Sequence, residues 1–128
     1  MNQRRNPAEV APPGGSYSHS IEVPPNARWL YVSGQVGVAR DGSLPSDLVG
    51  QATNCWNNIR ANLAAAGMEM GDLVKITVFL TRESDVAAYR EARDRILKAP
   101  FPASTLVVVS RLVRPEWLIE IEAVAAKG

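Results

Sequence analysis

Two acids alternate with apolar residues near the end of the chain, in residues 117–125, WLIEIEAVA. A strand period of two puts Trp117, Ile119, Ile121 and Ala123 on one face and Leu118, Glu120, Glu122 and Val124 on the other. The carboxylates either meet water or sit in a partly desolvated pocket. In a pocket the pKa of a carboxylate can rise, so that it holds a water and manages a proton. The pattern alone favours the solvated face. Ser33-Gly34-Gln35 is a second candidate. Glycine lets a ligand approach the backbone and serine offers a hydroxyl; a bulge or strand end accounts for the triplet equally well. Tyr17 can present a phenol, against a default role in core or surface packing. His19 is the one histidine, and without a G-x-S-x-G elbow it reads as an ordinary strand histidine rather than a triad member. Cys55 is the one cysteine; it falls on an apolar helical stripe and reads as a buried core thiol rather than a nucleophile.

Several chemistries are excluded by count. A single cysteine forms no internal disulfide and cannot hold an iron–sulfur cluster on this chain's own thiolates. One Cys and one His cannot build a Cys/His zinc site, while carboxylate-bound metals stay open. Gly14-Gly15 precede a strand rather than a helix, so no phosphate-cradling loop is formed. Lys plus Arg is 14 and Asp plus Glu is 13, for a formal charge of +1. No segment concentrates basic residues, which argues against nucleic-acid binding driven by charge. No apolar run approaches the ~20 residues of a membrane span. The start, with Arg4-Arg5 and no apolar stretch behind it, reads as a frayed polar N-terminus on a cytoplasmic protein rather than an export signal.

The elements that must position these residues are legible as alternating short strands and two helices. With 46% hydrophobic residues in 128, one domain with a real core is expected over residues 1–128, and 1–15 is expected to be flexible. Residues 17–23 predict a first strand, stopped by Pro24-Pro25-Asn26. Residues 28–36 predict a second, and Asp41-Gly42 a hairpin-type turn with a short strand on either side. Ser46 and Asp47 cap a helix whose stripe is Leu48, Ala52, Cys55, Ile59, Leu63 and Ala66, closed by Gly67. Residues 73–81 alternate Val74, Ile76, Val78 and Leu80 against Lys75, Thr77 and Phe79, as a strand does. Ser84 or Asp85 caps a second helix to about Lys98, with a Glu91–Arg95 ion pair on it, and Pro100 and Pro102 end it. Residues 104–112 and 117–125 are the closing strands. This order, with long helices interleaved in a mixed and mostly hairpin-connected sheet, implies an α+β layer with two helices on one face. The other sheet face meets water or a partner subunit.

Together, WLYVSGQVGV (29–38), LAAAGMEMGDLVKITVFL (63–80), FPAST (101–105) and LIEIEAVA (118–125) resemble the Rid family, the reactive intermediate deaminases. The family is also known as YjgF or endoribonuclease L-PSP. The resemblance runs from about Tyr17 to Ala126. It implies a chorismate-mutase-like fold and a homotrimer, with three sheets packed inward as a central barrel and pockets between subunits. It further implies cofactor-free hydrolysis of small reactive imines or enamines to 2-keto acids and ammonia. A carboxylate that positions water, with donors that fix the substrate, would suffice.

Carried over position by position, the first-strand tyrosine falls on Tyr17 and the strand-two serine and glycine on Ser33 and Gly34. The water-positioning glutamate falls on Glu120. Tyr17, Ser33 and Glu120 are thus the expected catalytic residues. The expected substrate contacts are Gly34, Arg90, Ser104, Thr105 and Leu106. Family deaminases usually read P-A-R-S/T after the second helix, and the arginine clamps the substrate carboxylate. Here Pro102-Ala103-Ser104-Thr105 puts Ser104 at that place, and Leu106 stands where a cysteine is common. Arg90 stands at a helix position that often holds a pocket asparagine. It either supplies the missing charge or pairs with Asp94 on the surface. Three readings of function follow: an imine or enamine deaminase with a non-standard substrate, a non-catalytic trimer that binds a metabolite or regulates a partner, and a ribonuclease. Near-neutral charge and the lack of a histidine pair weigh against the last. The expected partners are a small molecule and further copies of the chain, without nucleic acid, membrane, metal or cofactor.

Overall fold

The computed structural model describes residues 1–128. In chain order the elements are β1 (Gln3–Arg5), β2 (Ser20–Glu22), β3 (Arg28–Val36), α1 (Leu48–Ala65), β4 (Leu73–Leu80), α2 (Val86–Ile96), β5 (Ala103–Val108) and β6 (Ile119–Lys127). The main sheet has the order β3-β6-β4-β5. β6 lies antiparallel between β3 and β4, and β4 runs parallel to β5. β3, β4 and β5 therefore all point one way, and α1 and α2 are the crossovers between them. Parallel crossovers are right-handed. Both here step in the same direction across the sheet, so both helices land on the same face. The mixed α+β layer with both helices on one face is observed, but the expected hairpin connections are absent from the main sheet, where α1 and α2 link parallel strands and β6 inserts between β3 and β4.

The core lies between the helices and that face. α1 contributes Leu48, Ala52, Cys55, Trp56, Ile59 and Leu63, all buried, at helical spacing. Against them stand Ile119, Ile121, Ala123 and Ala125 of β6 and Ile76, Val78 and Leu80 of β4. Asp47 caps α1 by accepting from the Gly50 N–H at 3.1 Å. At the other end Gly67, at φ +69°, donates to Ala64 O and Met68 donates to Leu63 O. That is the paired closure a left-handed residue makes possible, and glycine adopts it without a Cβ penalty.

The structure corrects several expectations. In residues 17–23 only Ser20–Glu22 is strand, and it pairs outside the main sheet with β1, an element the sequence reading did not contain. Arg4 pins β1 by donating to Phe101 O and Gly71 O, each at 3.0 Å. A register shift between Leu73 and Lys75 puts Leu73, not Val74, in the core with Ile76 and Val78. Residues 39–43 form the turn, with Gly42 at φ +88°, but no strand flanks it. α2 ends at Ile96, β5 at Val108, and β6 starts at Ile119 and runs to Lys127. The Glu91–Arg95 and Arg90–Asp94 pairs do not form. Asp94 is bound instead by Ser16 Oγ at 2.7 Å and Arg93 Nε at 3.1 Å. Asp85 stands at the N-cap of α2 but its carboxylate holds Arg82.

Candidate functional site

The open sheet face carries the polar residues singled out in β3 and β6. β3 and β6 are in register on both sides of an interruption, Val32 opposite Ala123 and Gln35 opposite Ile121. Ser33 and Gly34 therefore both stand opposite Glu122, the two-against-one arrangement of a β-bulge. The bulge presses Gly34 onto the neighbouring side chain. A Cβ built at Gly34 would overlap Glu120 Oε2 and lie 2.8 Å from its Cδ. Only glycine leaves room for the carboxylate there, a close approach rather than a turn requirement.

The β3 exit and the β6 entry are tied to α1 by a row of buried or half-buried amides. Gln51, 1% exposed, donates from Nε2 to Pro45 O (2.9 Å) and Glu116 O (3.1 Å) and accepts from Leu118 N (2.9 Å). Asn54 donates to Gly37 O, and Asn58 to Val36 O and Val38 O. Cys55 Sγ lies 3.3 Å from Gln35 O. Burial, with the Glu120 charge adding to it, pushes the Cys55 thiol up to about 12, which suits the core thiol expected and not a nucleophile.

Glu120 opens into a groove of about 460 Å³, lined also by Phe79, Val109, Arg111, Leu112, Val113 and Glu122. Sequence reasoning passed over Phe79 and the whole loop after β5. The period-two pattern of β4 was a usable signal for Phe79, which sits in register with Glu120. Lys75 and Thr105 form a second polar contact on this face, Nζ to Oγ1 at 2.6 Å. Burial lowers the lysine pKa, and nearby Glu122 opposes that shift.

The remaining candidates gather at the opposite edge. Ser104 and Leu106 are in register with Ile76 and Val78 and so face the helices, while Thr105 faces the open side. Ser18 fastens the preceding segment to the start of β5, through N to Pro102 O (2.9 Å) and Oγ to Phe101 O (2.7 Å). That places half-buried Tyr17 beside this edge, its hydroxyl accepting from Gly14 N at 3.3 Å. Arg90 is exposed on α2, three and four residues before Arg93 and Asp94, and hence on the side of the helix that Ser16 reaches. His19 donates from Nε2 to Ala11 O at 2.6 Å and packs edge-on against Tyr17.

Two half-sets result: Ser33, Gly34 and Glu120 on β3 and β6, and Tyr17, Arg90, Ser104, Thr105 and Leu106 around β5. β3 and β5 are the two edges of the sheet, about 14 Å apart at three strand spacings. One chain does not bring the halves together.

The endoribonuclease L-PSP family profile matches residues 8–127. The chain is 34% identical over 132 residues to the putative reactive intermediate deaminase TdcF of Escherichia coli K12, covering 100% of this chain and 96% of that protein. It is 33% identical over 117 residues to the 2-iminobutanoate/2-iminopropanoate deaminase of the same organism, covering 88% of each. Among solved structures, the Rid protein YyfB of Yersinia pestis superposes at TM-score 0.88 with 28% identity over 98% of each chain. E. coli TdcF with bound serine superposes at TM-score 0.73 with 33% identity, covering 89% of this chain and 90% of that one.

Proposed function

The chain belongs to the Rid family, also called YjgF or endoribonuclease L-PSP, and on that premise we propose that it hydrolyses a small reactive imine or enamine without a cofactor. Its relatives include a named imine deaminase. The observation that carries the reading is the Glu120 carboxylate seated on Gly34 at the mouth of a groove. A carboxylate fixed in that way orients a water toward an electrophilic C=N carbon. It takes the proton as the new C–O bond forms, giving a carbinolamine, and returns a proton to nitrogen as the C–N bond breaks. The products are a carbonyl compound and ammonia. Ser33 and Tyr17 supply hydroxyls to hold the substrate; Gly34, Thr105 and Arg90 shape the rest of the pocket, and Ser104 and Leu106, which face the helices, back its β5 edge.

The pocket is completed in a homotrimer of chorismate-mutase-like subunits. Half-sets at opposite sheet edges meet when the β3 edge of one subunit adjoins the β5 edge of the next. The open face carries Trp29 at 50% exposure, Tyr31 at 75% and Val107 at 38%, apolar area of the kind that marks an interface. A barrel of three such faces would cover it.

The test generates imines in solution with an amino-acid oxidase and traps the survivors with semicarbazide. Wild type is expected to suppress semicarbazone formation, and Glu120→Gln to lose that effect by about 10²-fold or more. Equal suppression by both proteins contradicts the assignment. Ser104, where family deaminases usually carry an arginine, favours a second reading, a trimer that binds a metabolite without turnover; ligand affinity with no hydrolysis across the imine series would select it. A ribonuclease is the weakest reading, since the one histidine is occupied by Ala11 O.

A further inference from the structure

The groove beside Glu120 holds a cation that the sequence reading did not consider. Arg111 lines it together with Glu120 and Glu122. The ion pairs of the molecule are Arg5–Glu22, Arg82–Asp85 and Arg93–Asp94, and Arg111 is in none of them. Its guanidinium is held instead by its own loop, Nε donating to Leu112 O at 2.9 Å and Nη2 to Val113 O at 2.8 Å. Of the five N–H donors of a guanidinium, that leaves three free, on a side chain whose rotamer is already fixed.

We propose that Arg111 is the specificity-determining residue of this groove, binding the carboxylate of the substrate while Glu120 serves its imine end. The inference rests on the hydrolase reading above. Three observations support it. A planar cation that lines the groove with two acids, yet is in no ion pair, stays available for an incoming anion. The backbone bonds to Leu112 and Val113 fix where the fork stands, so little side-chain entropy is lost on binding. The groove also presents opposite charges to one ligand, which suits a molecule with a carboxylate beside a basic nitrogen. Phe79, Val109, Leu112 and Val113 give the same groove an apolar wall, so that little but the charged ends is left to decide orientation. Arg111 then does from the β5–β6 loop what Ser104 cannot do from β5.

The test uses the assembled wild-type protein and two stable probes of one shape, 2-oxobutanoate and its uncharged amide, titrated calorimetrically. Wild type is expected to bind the acid about tenfold or more tighter than the amide, with the difference shrinking as salt rises. Arg111→Ala should remove that preference and leave amide affinity in place; the amide thus reports that the groove survives. Arg111→Gln, which drops the charge but keeps a donor for the loop carbonyls, should behave alike and decides the matter if Arg111→Ala fails to fold. In imine assays the same variants should raise KM for carboxylated imines and leave kcat nearly unchanged. Equal affinity of wild type for acid and amide overturns the inference, as does binding of neither. So does a preference that survives both Arg111 variants, or one abolished by Arg90→Ala alone. A preference lost on Arg111 substitution in a protein that turns over no imine upholds the inference and sinks the hydrolase reading, so the two fail separately.

Discussion

Glu120 and Gly34 make one unit, because the carboxylate occupies the space a β-carbon would take at residue 34. Gly34→Ala is therefore expected to push the carboxylate aside rather than unfold the chain, since the far end of a flexible side chain can move. Imine hydrolysis should fall by about tenfold or more, while the melting temperature stays within a few degrees; unchanged kinetics would separate Gly34 from the site. Cys55 makes the opposite prediction. With its thiol pushed up to about 12, only about one molecule in ten thousand is thiolate at pH 8. A disulfide reagent such as dithiobis(nitrobenzoate) should leave it untouched until denaturant is added. At this scale the sequence was readable where a period exposed a residue: Glu120 on the polar side of β6, Cys55 on the apolar stripe of α1. Arg111 was not readable: residues 104–112 read as one strand, whereas β5 ends at Val108 and Arg111 lies in the loop beyond it, where side-chain directions follow no period.

The elements hold the site through contacts that pattern does not report. Gln51 bridges Pro45, Glu116 and Leu118, and so sets where β6 begins, one residue before Glu120. Gly37 packs against it so closely that a Cβ there would lie 2.6 Å from Gln51 Cα. That neighbour is helix backbone and cannot swing away. Gly37→Ala should cost about 1–3 kcal/mol in denaturant unfolding, unlike Gly34→Ala, although both add one methyl. At the other edge, Ser16 donates to Asp94 and holds its carboxyl below the usual carboxylate range, with help from Arg93 and Lys98. Ser16→Ala should raise the Asp94 pKa in an NMR titration. A depressed carboxylate stabilises the folded state above its unfolded pKa and loses that effect as pH falls through its folded pKa. The stability difference between Ser16→Ala and wild type should therefore vanish in acid. Both helices and β3, β4 and β6 were legible because each has a long apolar period between clear stops. The pairing of β1 with β2 was not, since a three-residue polar strand has no period to read. The bulge at Ser33-Gly34 was one of two readings the glycine left open; the irregularity at Val74 was not legible, since it breaks the very alternation that marks a strand.

For the whole molecule, the sequence pointed to one sheet with an uncovered face; the four-stranded sheet has it, and the β1–β2 pair stands apart from it. What the chain alone does not do is join its two half-sets, which lie on opposite sheet edges. Closure by a second copy predicts a sedimenting species near three times the 13.9 kDa chain. Tyr31→Asp, which places a charge in the middle of the apolar open face, should shift that species toward the monomer. A site shared between two chains is tested most directly by mixing two variants expected to be inactive alone, Glu120→Gln and Tyr17→Ala, by joint unfolding and refolding. If every site takes Glu120 from one chain and Tyr17 from its neighbour, random mixing restores both to about one quarter of the sites. Imine hydrolysis near that fraction of wild type is expected. Assembled mixed trimers that stay as inactive as either parent would contradict the shared site.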